Sequence, residues 1–159
     1  NNMPVWKQLA QSTPKVSPGA VSNSSKTNIS NFNLQYDSKK KIITYYGSVA
    51  SSSMPGGYNV IISFLNVGPE DGLTDDEILQ GFKPKPSLAN NEVQVRCSCP
   101  AYRFRFDQAN RSHGAGTGKK FPNYHRKTDR APNNPNNLPG FCKHLLEFVE
   151  YLQRQGFIH

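Results

Sequence analysis

Cys97 and Cys99 stand one residue apart, and Cys142 and His144 repeat that spacing further along the chain. Any fold for this sequence must account for those two pairs. Three thiolates and one imidazole make a complete tetrahedral donor set for Zn²⁺. Three cysteines cannot form a complete internal disulfide framework, so reduced thiols and cytoplasmic folding are the natural reading. A Cys97–Cys99 disulfide would close a strained loop, and an iron–sulfur cluster suits the spacing poorly. The plain alternative is three buried structural cysteines beside an ordinary surface histidine. Four protein ligands leave no open position, so the spacing points to a structural ion, not a catalytic one.

The flanking residues indicate how each pair is presented. In "NEVQVRCSC" (91–99), Val93, Val95, Cys97 and Cys99 fall on one face of a strand, and Gln94, Arg96 and Ser98 on the other. Pro100 cannot donate to a ladder and ends that strand. In "FCKHLLEFVEYLQRQGFIH", Leu145, Phe148, Val149 and Leu152 recur at helical spacing, which predicts an amphipathic helix over 143–155 with Gly156 as its C-cap. Cys142 then lies at a helix N-terminus, where a lowered thiol pKa is expected.

Upstream, "FNLQYDSKKKIITYYGSVA" reads as strand, turn and strand, with the turn at Asp37–Lys40. "YNVIISFLNV" (58–67) reads as a further strand, with Gly56-Gly57 supplying the turn before it. In "GLTDDEILQGF", Thr74 and Glu77 form a capping box, predicting a helix over 75–80. Asp75, Asp76 and Glu77 fall in its first turn, where the helix dipole favours them. No other residues complete a catalytic carboxylate cluster there.

The predicted fold class is therefore α+β. A small antiparallel sheet is covered by a C-terminal amphipathic helix and tied to it by a structural zinc site, with an extended N-terminal arm ahead of both. The arm is placed at residues 1–30 and a single domain at 31–159. The hydrophobic fraction is only 35%, so part of the chain should lie outside a core. Residues 1–30 fit that part, being rich in Ser, Asn, Pro and Lys without an apolar period. They read as a disordered leader or as an arm that orders on a partner, with Val5, Trp6 and Leu9 as its anchor.

The net charge of +8 favours an anionic partner, either nucleic acid or an acidic protein surface. Most of that charge lies in a long basic insert at 101–141. There Arg103, Arg105, Arg111, Lys119, Lys120, Arg126, Lys127 and Arg130 face only Asp107 and Asp129. These eight cations are the candidate contacts to a partner or to nucleic acid. Tyr102, Phe104 and Phe106 alternate with Arg103 and Arg105, as one strand with a buried face would. His113 and His125 lack a carboxylate or cysteine partner, and "GAGTGKK" lacks the spacing and following helix of a Walker loop. No enzyme and no small-molecule substrate are expected. No apolar run is long enough to span a bilayer, and no signal peptide opens the sequence.

"CSCPAYRF…GFCKHLLEFVEYL" resembles a SWIM-type zinc finger, whose pattern is C-x-C, a variable gap and C-x-H. The match covers roughly residues 91–155 and implies Cys97, Cys99, Cys142 and His144 as ligands of a structural Zn²⁺. The gap between the pairs is longer than is usual for that family. The resemblance implies DNA binding or protein–protein contact. "CSCPAYRFRF", "CKHLL" and the strands "ITYYGSVAS" and "YNVIISFLNV" are also similar to small SWIM-containing proteins of tailed bacteriophages. That similarity implies a structural protein of the virion, made in the host cytoplasm, at a tail, baseplate or head joint. Its partners would be other proteins of the assembly, with nucleic-acid binding as the alternative.

Overall fold

The structure is a computed structural model that describes residues 3–18, 28–122 and 134–159. Its elements run α1 (Trp6–Val16), β1 (Ile29–Asp37), β2 (Ile42–Ser51), β3 (Met54–Phe64), α2 (Asp75–Leu79), β4 (Val93–Cys97), α3 (Pro100–Arg105), α4 (Asp107–Ser112) and α5 (Lys143–Arg154). The four strands form one sheet in the order β1-β2-β3-β4, with every neighbouring pair antiparallel. The α+β class is as expected. No helix among the described residues is long and apolar enough to cross a membrane.

Alternation sets which face of the sheet is buried. Ile43, Tyr45 and Val49 of β2, Val60, Ile62 and Phe64 of β3, and Val93, Val95 and Cys97 of β4 all enter the core. α5 covers that face with Leu145, Phe148, Val149 and Leu152, the stripe read from the sequence. Gly47 lets the helix approach closely, because a Cβ there would sit 2.8 Å from Cε1 of Phe148. α5 ends in a Schellman motif. Gly156 adopts φ 76°, its N–H donates to Gln153 O, and Phe157 N–H donates to Leu152 O.

The first turn is as expected, since Asp37 Oδ1 accepts from the N–H groups of Lys39 and Lys40. The second is not. Gly56 and Gly57 lie inside β3, and the chain reverses between Ser51 and Met54, which pair across the hairpin. The glycines carry positive φ beside a register shift in the ladder, so they mark an irregularity within the strand.

The extended arm is corrected more substantially. Residues 6–16 form a helix, and its anchor residues pack into this chain's own core: Trp6 is 6% exposed and Leu9 fully buried. Trp6, Leu9, Ala10, Thr13 and Val16 supply an apolar stripe at helical spacing that the surrounding polar residues obscure. Val5 bridges to Glu92 beside β4, and Gln8 Oε1 accepts from Val5 N–H to cap the helix start. Residues 19–27 of the expected arm lie outside the described residues.

The insert at 101–141 is also more built than a loop. β4 ends at Cys97, short of the stop expected at Pro100, so Cys99 leaves the strand face to cap α3, and Pro100 occupies the first turn of that helix. Tyr102, Phe104 and Phe106 are therefore not strand residues. Tyr102 and Phe106 lie one helical turn apart and are buried, while Phe104 is 42% exposed.

Candidate metal centre

The end of β4 and the start of α5 converge on one side of the core. Ser98 donates its N–H to Asn59 O and accepts from Asn59 N–H through its hydroxyl, which extends the β3–β4 pairing past Cys97. The chain then turns, and Cys99 becomes the N-cap of α3, with its Sγ accepting from Tyr102 N–H at 3.4 Å. Across from them, Cys142 is the N-cap of α5 and His144 stands in its first turn. One donor atom from each of Cys97, Cys99, Cys142 and His144 lies within 4.8 Å of all the others, and all four residues are buried. Donors on a tetrahedral shell around a metal at about 2.0–2.3 Å lie roughly 3.5–3.8 Å apart, so the cluster needs only a small contraction to close on an ion.

No disulfide takes up the donors. All three cysteines are free thiols. Nδ1 of His144 is a buried polar atom without a hydrogen-bond partner among the described residues. A bare buried nitrogen is costly, and coordination would satisfy it. The four residues thus form a buried Cys₃His group that suits a structural metal ion. The thiols do not ionise alike. Burial pushes Cys97 and Cys142 up, while hydrogen bonds from Cys142 and then Cys97 hold Cys99 well down. Burial is the largest influence on Cys142, where the helix N-terminus predicts a lowered thiol, while Cys97 and the Leu145 N–H act in the lowering direction.

A polar network that sequence reasoning missed holds the two pairs together. Asn110 is fully buried on α4. Its amide pairs with the Gly140 backbone in both directions, at 2.8 Å each, and its Nδ2 also donates to Tyr102 Oη at 3.0 Å. Tyr102 Oη donates in turn to Val95 O on β4. The segment leading to Cys142 is thereby tied to the strand leading to Cys97. α1 braces the same segment. Trp6 stacks on Phe141 with ring centroids 4.2 Å apart, Thr13 Oγ1 accepts from Phe141 N–H, and Ser12 donates to Pro139 O. Tyr58 lies against the His144 ring, 5.0 Å between centroids.

The candidate contact residues divide. Arg103, Arg105, Lys119 and Lys120 are exposed. Arg105 donates to Ser17 Oγ. Arg111 instead turns inward, pairing with buried Asp107 at 3.2 Å and donating to the carbonyls of Thr117 and Gly118. It closes a loop of its own chain and does not project outward. Arg126, Lys127 and Arg130 lie outside the described residues, as does His125. Arg96 was not singled out from the sequence. Its guanidinium stands 4.0 Å over the Phe121 ring, with that of Arg103 at 5.0 Å from the same ring. Its alternation with Val95 and Cys97 was the available signal, since it fixed Arg96 on the outer face of β4.

Comparison of the chain with protein-family models, curated proteins and solved structures returns no match. What fold and site define together is a class: a small α+β domain with a buried four-donor metal group at the junction of its sheet and its C-terminal helix.

Proposed function

We propose that this chain is a zinc-stabilised structural protein that docks on neighbouring proteins, a component of a tailed-phage particle at its tail, baseplate or head joint. The observation that carries the structural part is the closed donor set: Cys97, Cys99, Cys142 and His144 are all buried and gathered, and all four belong to the protein. Such a shell leaves a zinc ion no position for a substrate, so its chemistry is to hold the fold. Zinc fits three thiolates and an imidazole better than a hard, oxygen-seeking cation does. The docking part rests on the exposed cations Arg103, Lys119 and Lys120 around Phe121, a surface suited to an acidic protein face. The SWIM-type resemblance and the similarity to phage proteins supply the particle. Mass spectrometry of purified particles from a phage encoding this chain tests that assignment. We expect the chain in fixed stoichiometry with the tail or head proteins; its presence in lysate but absence from particles would refute a virion role.

The stacked guanidinium groups on Phe121 also favour a second reading, nucleic-acid binding, because aromatic and arginine surfaces both accept exposed bases. A titration of the zinc-loaded protein against duplex and single-stranded DNA at several salt concentrations separates the two. Micromolar or tighter binding at physiological salt, with a slope of several phosphate contacts, supports nucleic acid. Binding that vanishes at modest salt supports protein docking.

A further inference from the structure

We propose that the ridge formed by Ile78, Leu79 and Phe82, with its acidic flank, docks head to tail on the cationic aromatic face of a second copy of this chain. The inference rests on reading that face as a protein-docking surface, and it names the partner. Of the five exposed large hydrophobic residues among those described, three stand in this ridge, and Leu79 is 85% exposed. Scattered apolar residues on a surface are ordinary, but three together on one projecting turn mark a contact.

The ridge is held ready. Thr74 and Glu77 cap α2 reciprocally, Lys85 pairs with Glu77 at 2.9 Å, and Phe82 N–H returns to Glu77 O. Its geometry is therefore fixed before any partner arrives, which reduces the entropy lost on docking. Beside it a groove of about 320 Å³ is lined by Leu34, Phe82, Pro84 and Phe157 among others.

Charge selects the occupant. In a chain of net charge +8, five of the eleven acidic residues fall within 70–77. Glu70, Asp75 and Asp76 are exposed there, and neither Asp75 nor Asp76 forms an ion pair with a described residue. The complementary surface on the same molecule is Arg96, Arg103, Lys119 and Lys120 about Phe121. The two cannot meet within one chain. α3, which carries Arg103, follows directly from Cys99 at the metal end, whereas Phe82 lies beside Gln155–Phe157, past the other end of α5. The twelve residues of α5 separate those ends by roughly 18 Å. A second copy brings ridge and face together. The contact uses different patches on the two copies, so it propagates into a ring or an open chain.

The test is sedimentation of the zinc-loaded full chain across a concentration series, with Leu79→Glu, Arg103→Glu and an equimolar mixture of the two variants. Each substitution is on the surface, and unchanged metal content confirms an intact fold. We expect wild-type mass to climb with concentration and to fall back with added salt, and each variant alone to stay monomeric. The mixture should stop at a dimer, because one intact ridge and one intact face remain. Wild-type protein that stays monomeric up to about 1 mM at low salt overturns the inference. So does a wild type that associates while the mixture stays monomeric. A monomeric wild type whose face still binds other particle proteins would leave the docking reading standing and remove only this partner.

Discussion

At its first turn α5 meets metal-type donors from separate segments of the chain, whereas at its last turn it is closed by backbone hydrogen bonds and ring packing. The first-turn end gathers Cys97 from the end of β4, Cys99 and Cys142 from the N-caps of α3 and α5, and His144 from the first turn of α5. Asn110, Thr13 and Trp6 are drawn in to orient those stretches. At the last-turn end the Schellman hydrogen bonds close the helix, Phe157 packs on Phe32 and Tyr45, Tyr45 Oη donates to Phe157 O, and the His159 backbone donates to Pro86 O and accepts from Leu88 N–H. The difference lies in how segments are joined, since Tyr102, Phe106 and Phe141 are buried beside the donors as part of the same core. Its metal end brings together element termini whose alignment costs conformational entropy, a cost that a bound ion would offset. Its ridge end is closed by direct contacts: the Schellman bonds, the ring packing of Phe157, and the backbone bonds of His159 with Pro86 and Leu88.

The largest expected effect breaks the metal end alone. Cys97→Ser or His144→Ala should remove the ion and melt α3, α4 and the segment before α5, because apparent zinc-binding energies of about 10–16 kcal/mol exceed the stability of most domains. Thermal melts with metal analysis check this; two variants that lose metal yet keep the wild-type Tm would mean the ion does not hold the fold. Trp6→Ala comes next. It empties the stack on Phe141 and should cost about 3–5 kcal/mol by chemical denaturation. Retained wild-type stability would show that α1 is an appendage of the metal end and not its brace.

Asn110→Ala should have a smaller effect, about 1–3 kcal/mol, because it strands the N–H and C=O of Gly140. A competitive chelator titration should also show metal affinity lower by roughly 10–100-fold, as for other residues that orient ligands. Unchanged affinity would separate the network from the site. The smallest effects belong to the ridge end. Thr74→Ala should loosen α2 by about 1 kcal/mol without altering metal content. The Glu77 carboxyl is held below its ordinary value, first by the Thr74 N–H and then by Lys85. That stabilisation is present above the unfolded-state pKa and is lost as pH falls through the lower folded value. Amide protection in 74–82, taken relative to intrinsic exchange rates at each pH, should therefore fall only at strongly acid pH, and lost protection near neutrality would contradict the capping geometry.

The sequence disclosed what is written in local spacing. The two C-x-C and C-x-H pairs, the α5 stripe, the Thr74–Glu77 box and the alternation of β4 each need only a few neighbouring residues to be read. What stayed hidden depends on distant partners. α1 has a short stripe set among Ser12, Pro14 and other polar residues, and the stack that buries Trp6 is with Phe141, far along the chain. Pro100 reads as a strand stop, but β4 ends at Cys97, and the task of Pro100 as the first residue of α3 emerges once Cys99 accepts the Tyr102 N–H. Asn110 resembles any polar residue in a basic loop until Gly140 lies against it. Arg111 reads as a contact residue for the same reason, and Asp107 turns it inward.

X-ray absorption at the zinc edge of the purified, zinc-loaded protein tests the central claim most directly. A closed Cys₃His site gives three sulfur scatterers at about 2.3 Å and one nitrogen at about 2.0–2.1 Å, with no solvent oxygen. Two or fewer sulfurs, or an added oxygen shell, would contradict a structural tie between β4 and α5.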